Sequence, residues 1–333
     1  LNNGTGTYVD TGQSLGSGNS FAGAMGDIDG DGDRDVLVSN YSNALDEVWL
    51  NNGSGQFSLG QTLDVGNLGQ TVELADIDNN GTLDAIVGGG GNEELWLNVA
   101  GTFELNFTFP GDGSFQTQDI ESDDVDNDGD IDLVFSYLNT VGEGTGNKVF
   151  LNQGGAQAGT LGTFALSSTF GPSGLATGLD LGDLNGDGYV DAFVARSRAG
   201  AYNSQTFPSM VFLNDGAGAF VDTGQTLLAN PDAPTNDNFK TRDVKLGDVD
   251  NDGDLDAFLG NNSAMVVYLN DGLGTFSDSG QRLGAVFSTD NYSVALGDLD
   301  GDGNLDAFVG NNGPNSVWIN DRGLNYTFQN EYV

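Results

Sequence analysis

One nine-residue pattern dominates the chain: D-x-[DN]-x-[DN]-G-x-x-D, written six times with first residues Asp27, Asp76, Asp124, Asp183, Asp248 and Asp298. Successive copies start 48 to 65 residues apart. A repeat of this period overrides the two-domain expectation that 333 residues would otherwise raise. The first, third, fifth and ninth positions always carry an Asp or Asn oxygen, and the sixth is always Gly. Turn propensity explains a single Asp/Gly-rich loop. It does not explain an Asp at the ninth position six times over.

Hard oxygens at alternating positions around a sharp Gly turn suit Ca²⁺. Mg²⁺ fits less well, because it demands tighter octahedral geometry and keeps its waters. The oxygen-bearing residues are Asp27, Asp29, Asp31 and Asp35 in the first loop and Asp76, Asp78, Asn80 and Asp84 in the second. The third offers Asp124, Asp126, Asp128 and Asp132, and the fourth Asp183, Asn185, Asp187 and Asp191. The fifth offers Asp248, Asp250, Asp252 and Asp256, and the sixth Asp298, Asp300, Asp302 and Asp306. An EF-hand would need a Glu at loop position twelve and flanking helices. Here position twelve falls in apolar runs such as Ala307-Phe308-Val309, so that reading is rejected. About six Ca²⁺ are expected.

The acids are placed rather than smeared. The six loops hold 25 of the 49 Asp and Glu, and six bound Ca²⁺ would bring the formal charge from −40 to −28. The remaining negative charge points to a salty setting and argues against nucleic acid and anionic membranes as partners. With no Cys there are no disulfides, and metal staples take their place. With no His, His-based acid–base catalysis and typical zinc sites are excluded. No apolar run reaches the length of a membrane-spanning helix, so no membrane insertion is expected. A chain that starts at Leu1 without Met and without a signal peptide reads as a processed or trimmed piece. Cytosolic Ca²⁺ is too scarce to fill weak loops, which places the protein outside the cell or on its surface.

Each unit repeats one order of segments. A short apolar run enters the loop and a second leaves it, as in Val36-Leu37-Val38. A third carries an aromatic and ends in Asn, as in Val48-Trp49-Leu50-Asn51 and Val317-Trp318-Ile319-Asn320. After a turn comes a fourth run with Phe, as in Gly274-Thr275-Phe276. Short β-branched and aromatic runs bounded by Gly, Asn and Asp read as strands, and no stretch sustains helical periodicity. Four strands per unit of about 50 residues imply an all-β fold, a β-propeller of four-stranded antiparallel blades with the metal loop between strands one and two. Six blades are favoured over seven, in one domain spanning residues 1–333. Residues 1–15 and 324–333 compete as the closing fourth strand. The third-strand aromatic is expected to pack between blades.

The loop, the Val48–Gly53 strand and turn, and the Gly274–Phe276 strand resemble the FG-GAP/VCBS repeats of integrin alpha-subunit propellers, bacterial secreted proteins and integrin-like fungal lectins. The resemblance covers nearly the whole chain. It implies Ca²⁺ bound through positions one, three, five and nine plus the carbonyl of position seven. Those carbonyls would come from Asp33, Thr82, Asp130, Tyr189, Asp254 and Asn304. Asn80 and Asn185 stand where Asp is usual, which should weaken two sites.

Strand order puts the metal loops and the three–four turns on one rim, and the two–three and four–one connections on the other. The latter hold the length variation, in residues 195–208 and 228–243, and elaborated loops on a rigid scaffold are where binding usually sits. Arg196, Arg198, Lys240 and Arg242 fall on these two segments, with Tyr202, Phe207 and Phe239 beside them. One reading is a pocket for an acidic or sulfated sugar, with Arg forks on the anion and aromatics stacking on the ring. The other is that these cations neutralise Asp232, Asp237 and Asp243. The expected function is an extracellular Ca²⁺-binding module for adhesion, whose partner is a glycan or an extracellular protein. The alternatives are a polysaccharide lyase working through Arg196, Arg198 or Lys240 with Tyr202, and a structural module of a larger adhesin or surface filament.

Overall fold

The computed structural model describes residues 4, 7–16, 18–41, 45–65, 69–110, 116–138, 146–172, 176–197, 207–229, 231–232, 240–262, 264–284 and 291–332. They contain six four-stranded sheets, each built from strands consecutive in the chain. The first is β1 (Asn19–Gly26), β2 (Asp35–Tyr41), β3 (Asp46–Asn51) and β4 (Phe57–Leu63). The second is β5 (Gly69–Ala75), β6 (Asp84–Gly89), β7 (Glu94–Asn98) and β8 (Phe103–Thr108). The third is β9 (Gln116–Asp123), β10 (Asp132–Leu138), β11 (Asn147–Asn152) and β12 (Phe164–Phe170). The fourth is β13 (Ala176–Gly182), β14 (Asp191–Arg196), β15 (Met210–Asn214) and β16 (Phe220–Asp222). The fifth is β17 (Thr241–Gly247), β18 (Asp256–Asn261), β19 (Met265–Asn270) and β20 (Phe276–Leu283). The sixth is β21 (Asn291–Gly297), β22 (Asp306–Asn311), β23 (Asn315–Asn320) and β24 (Tyr326–Tyr332). Antiparallel four-stranded meanders of this kind are the blades of a β-propeller, six in number.

The strand pattern follows from burial. The second strands are covered on both faces and are therefore almost continuously apolar: β6 and β18 are buried at every position. The fourth strands are edges, and β4, β8 and β12 expose most of their length. Every blade carries a bulge between its first and second strands, such as Ser20/Ala22, Gly69/Thr71 and Thr241/Asp243. A bulge adds local twist. The fourth-strand position of the sixth sheet is filled by β24, from the 324–333 segment. The N-terminal segment packs by side chains: Tyr8 meets Phe308 edge-on at 5.7 Å, and Gln13 Nε2 donates to the Gly55 carbonyl at 2.6 Å.

The chain divides into two compact units. One comprises residues 11–174 and 216–219, the other 1–10, 175–215 and 220–333. In the first unit, one core joins Leu37, Val48 and Leu63 to Val72, Ala85 and Phe103 of the next blade, with Trp96 packed against it. A second joins Ile77, Leu95 and Phe109 to Phe135, Phe150 and Phe164. In the other unit, Phe193 and Val211 meet Leu259, Tyr268 and Phe276. Phe258 and Val267 meet Val309 and Tyr326, with Trp318 against them. Each core spans two blades, and third-strand aromatics lie in or against all four, as inter-blade packing requires.

A buried acid sits at the start of β3. Asp46 Oδ1 accepts the Asn40 N–H at 2.7 Å, while Oδ2 is buried with no hydrogen-bond partner. Burial pushes its pKa from 3.8 to about 7. The folded protein therefore favours the protonated form, so the stability it confers is full below pH 3.8 and is lost as pH rises through about 7. Asp46→Asn removes that loss. Between pH 5 and pH 8 the wild type should lose about 3 kcal/mol relative to the variant, at about 1.4 kcal/mol per pKa unit. Denaturant titrations of both proteins at the two pH values check this, and parallel pH profiles would refute it.

Candidate metal centres and basic patch

The six loops share one backbone. Their sixth-position glycines, Gly32, Gly81, Gly129, Gly188, Gly253 and Gly303, all have φ between 87° and 101°. A Cβ on any of them would meet nothing within 4 Å, so the left-handed backbone, not crowding, selects Gly. The fourth position is left-handed as well, at Gly30, Asn79, Asn127, Gly186, Asn251 and Gly301. That Gly-or-Asn choice is visible in the sequence, though the nine-residue pattern leaves the position open.

Carboxylates hold this shape. The first Asp turns back over the loop and accepts its N–H groups: Asp27 takes Gly30 at 2.9 Å and Gly32 at 3.0 Å, and Asp76 takes Asn80 and Gly81, each at 2.9 Å. The ninth Asp is the first residue of the second strand and is fully buried at Asp35, Asp84, Asp132, Asp191, Asp256 and Asp306. One of its oxygens accepts the N–H of the loop's second residue, as Asp35 does from Ile28 at 2.9 Å. The other accepts the N–H of the Asn that ends the third strand, at 2.7 to 2.9 Å in all six blades.

That Asn is the functional element the sequence pattern shows without explaining. Asn98 Nδ2 donates to the Leu83 carbonyl of its own loop at 3.1 Å and to the Ile28 carbonyl of the preceding blade's loop at 2.7 Å. Asn152 reaches Ile77, Asn270 reaches Leu184 and Asn320 reaches Val249 in the same way, at 2.8 to 3.0 Å. The first, second, fourth and fifth loops are thereby tied to their own third strand and to the blade that follows. The same bonds place the loops and the three–four turns at one end of each blade, as strand order predicts.

Five loops gather three carboxylates whose oxygens lie within 4.8 Å of one another. The first, second, third and fifth use positions one, three and nine: Asp27, Asp29 and Asp35; Asp76, Asp78 and Asp84; Asp124, Asp126 and Asp132; Asp248, Asp250 and Asp256. The sixth gathers Asp298, Asp300 and Asp302, without Asp306, whose two oxygens take the Leu299 and Asn320 N–H groups at 2.8 Å. The fourth forms no such group among the described residues. There Asn185 stands at position three, and its Nδ2 donates to Asp187 Oδ2 at 3.0 Å. Asn80 does not disturb the second group.

The donor set is all oxygen, rich in carboxylate and arranged around a left-handed Gly turn, and it fits Ca²⁺. Asp126 Oδ1, buried with no hydrogen-bond partner, is one oxygen a cation would satisfy. Burial, opposed by the two backbone N–H donors, raises the ninth Asp to about 6 at Asp84, Asp191 and Asp256 and to about 8 at Asp132. A bound cation would favour the ionised form and reverse that direction.

The cations are arranged differently from expectation. Arg196 is the last residue of β14 and Arg242 lies inside β17, so neither is a loop residue; Lys240 immediately precedes β17. The strands run further than the apolar pattern because backbone pairing continues past it, Ala176 against Arg196 and Thr241 against Asn261. Thr177 Oγ1 lies 2.8 Å from the Thr241 carbonyl and 3.4 Å from that of Ala195, so the two basic segments are neighbours. The Arg196 guanidinium is 5.9 Å from the Phe207 ring centroid, and Nη1 is 3.2 Å from Met210 Sδ. Burial lowers its pKa, against the opposing charge of Asp222. Among the described residues Arg196 makes no ion pair.

The ion pairs seen among the described residues join other partners than those expected. Asp232 bonds Arg282 at 2.8 Å, and Lys245 lies 3.8 Å from Asp180. Arg198, Tyr202, Asp237 and Phe239 lie outside the described residues. Tyr137 is buried in a core with Lys148 over its ring at 4.6 Å.

The sequence model of the FG-GAP-like repeat matches residues 27–87, 124–194, 183–258 and 248–309. The chain belongs to the FG-GAP-like repeat family. No curated protein sequence matches it. Several solved structures share the FG-GAP propeller's fold. A lectin of Agrocybe aegerita, described as recognising non-reducing terminal N-acetylglucosamine, is 22% identical with a TM-score of 0.61, over 93% of this chain and 78% of the lectin. A protein from Lactobacillus plantarum is 14% identical with a TM-score of 0.68, over 97% of this chain and 87% of that one. A chain of the complex of BBS1N with ARL6DN is 12% identical with a TM-score of 0.58, over 92% of this chain and 81% of that one. At these identities the likeness is one of fold.

Proposed function

We propose that this FG-GAP propeller is a Ca²⁺-stabilised binding module of the cell exterior, and that it takes an acidic or sulfated glycan at the Arg196 patch. The observation that carries the binding reading is Arg196: half-buried, set beside Phe207 and next to Lys240 and Arg242, with no ion pair among the described residues. A partly desolvated guanidinium beside an aromatic face is the chemistry that receives a sulfate or carboxylate on a sugar ring. The five carboxylate groups support Ca²⁺ as the resident ion. Extracellular Ca²⁺ and a lectin among proteins of like fold agree with this assignment.

In this reading the metal loops are structural. They fix the ends of the first three strands of each blade, and the opposite ends, where β14 finishes and β17 begins, present the ligand groups. The test is a glycan array probed in Ca²⁺ with the wild type and with Arg196→Ala/Lys240→Ala. Wild-type binding to sulfated or uronate-bearing glycans should fall at least tenfold in the variant, with the melting temperature held within a few degrees. Equal binding by the two proteins would reject the patch. Binding confined to neutral sugars would reject the ligand class.

A further inference from the structure

Asp stands at the seventh position of the first, third and fifth loops, as Asp33, Asp130 and Asp254, but of these three only Asp130 is fully buried. In the sixth loop that position is Asn304, which is buried. Its Nδ2 lies 2.6 Å from Asp302 Oδ2, and its Oδ1 accepts from Asn251 at 2.9 Å. An amide suits this place because it brings a donor to the carboxylate at position five. In the third loop the same position holds Asp130, 2% exposed, beside Asp128. A carboxylate brings no donor. Among the described residues, both oxygens of Asp130 are buried with no hydrogen-bond donor, and so is Asp126 Oδ1.

A second difference lies directly against this group. The turn between the third and fourth strands is five residues long in the first, fifth and sixth blades, but in the third it runs from 153 to 163 and contains a 3₁₀ turn, Gly155–Gln157. This longer turn folds over the acids. Gln157 Nε2 donates to Asp126 Oδ2 at 2.7 Å, which leaves Gln157 Oε1 buried and without a partner. A Cβ on Gly154 would stand 2.5 Å from Asp130 Oδ2, and one on Gly155 2.8 Å from Asp128 Oδ2. A Cβ on Gly53 or Gly272 would stand equally close to Asp33 or Asp254, at 2.5 Å each, so what the longer turn adds is the cover by Gln157.

Both oxygens of Asp130, one of Asp126 and the Gln157 amide oxygen, buried and without a donor among the described residues, carry a large desolvation cost unless positive charge lies among them. We propose that the third blade holds a second Ca²⁺, beyond the one its loop shares with the other blades, bound by Asp130 and Gln157 Oε1 with Asp126 and Asp128 shared between the two ions. All the donors are hard oxygens, three of them carboxylate, as Ca²⁺ prefers. The inference rests on the Ca²⁺ reading of the loops through the shared Asp126 and Asp128.

The test is a count of bound Ca²⁺ by native mass spectrometry and titration calorimetry on the wild type, Asp130→Asn and Gln157→Ala. Asp130→Asn reproduces the amide that the sixth loop already carries at this position, so the blade is expected to fold, and melting in EDTA checks that it does. The wild type should bind one Ca²⁺ more than Asp130→Asn, and Gln157→Ala should weaken a single ion about tenfold. Equal stoichiometry in the wild type and Asp130→Asn would overturn the second site while leaving the shared loops intact, with a proton between Asp128 and Asp130 in its place. No Ca²⁺ on either protein would overturn both readings.

Discussion

Excess EDTA should lower the melting temperature on the order of 20 °C relative to millimolar Ca²⁺. A ligand held by the folded state alone, at a hundred times its dissociation constant, stabilises by about 2.7 kcal/mol per site. Four loops with three clustered carboxylates at positions one, three and nine would together supply roughly 11 kcal/mol on that basis. For a chain of this size each kcal/mol moves the midpoint by about 2 °C. Removing the ions also leaves the clustered carboxylates repelling one another, which adds to the loss. Differential scanning calorimetry in Ca²⁺, in Mg²⁺ and in EDTA makes the comparison. Mg²⁺ should restore little. The same midpoint in Ca²⁺ and EDTA would end the calcium reading of the loops.

Asp256→Ala should cost about 4 kcal/mol even without calcium. Its two oxygens accept the Val249 N–H at 3.2 Å and the Asn270 N–H at 2.9 Å, both in buried surroundings. Each buried donor left unpaired costs about 1–3 kcal/mol. Asp256→Asn keeps one acceptor and turns an amide N–H toward a backbone N–H, so its loss should be intermediate. In Ca²⁺ the gap between wild type and either variant should widen, because a metal ligand goes as well. Guanidinium denaturation in EDTA and in Ca²⁺ separates the two contributions. A variant as stable as wild type in EDTA would mean that the ninth Asp serves the metal alone.

The loops were legible because their chemistry is local. Asp27 to Asp35 are nine consecutive residues, and the turn, the oxygens and the strand start are all spelled within them. Blade architecture was legible for a related reason: each strand pairs with its sequence neighbour, so short apolar runs and their turns translate directly into a meander. What the sequence could not express is contact between repeats. The third-strand Asn recurs in plain view, yet its role depends on a carbonyl about seventy residues earlier, as Asn98 depends on Ile28. The first-strand bulges are likewise invisible, since they arise where two strands of unequal length must stay in register. Arg196 was placed on a loop because its strand extends past the apolar residues that announce it. At position seven the resemblance directed attention to a carbonyl, which hid the side chain of Asp130.

The Asn contact has a consequence for how such a chain grows. The second and fifth repeats carry both halves of the joint: an Asn that reaches back, and a loop carbonyl that receives the next Asn. Tandem duplication of such a unit therefore delivers a matching joint at both new seams without any further substitution. The joint enforces order and direction, since it runs only from a later repeat to an earlier one, but it does not count. During synthesis on the ribosome it would also be made in sequence, each finished blade being latched only when the following one emerges.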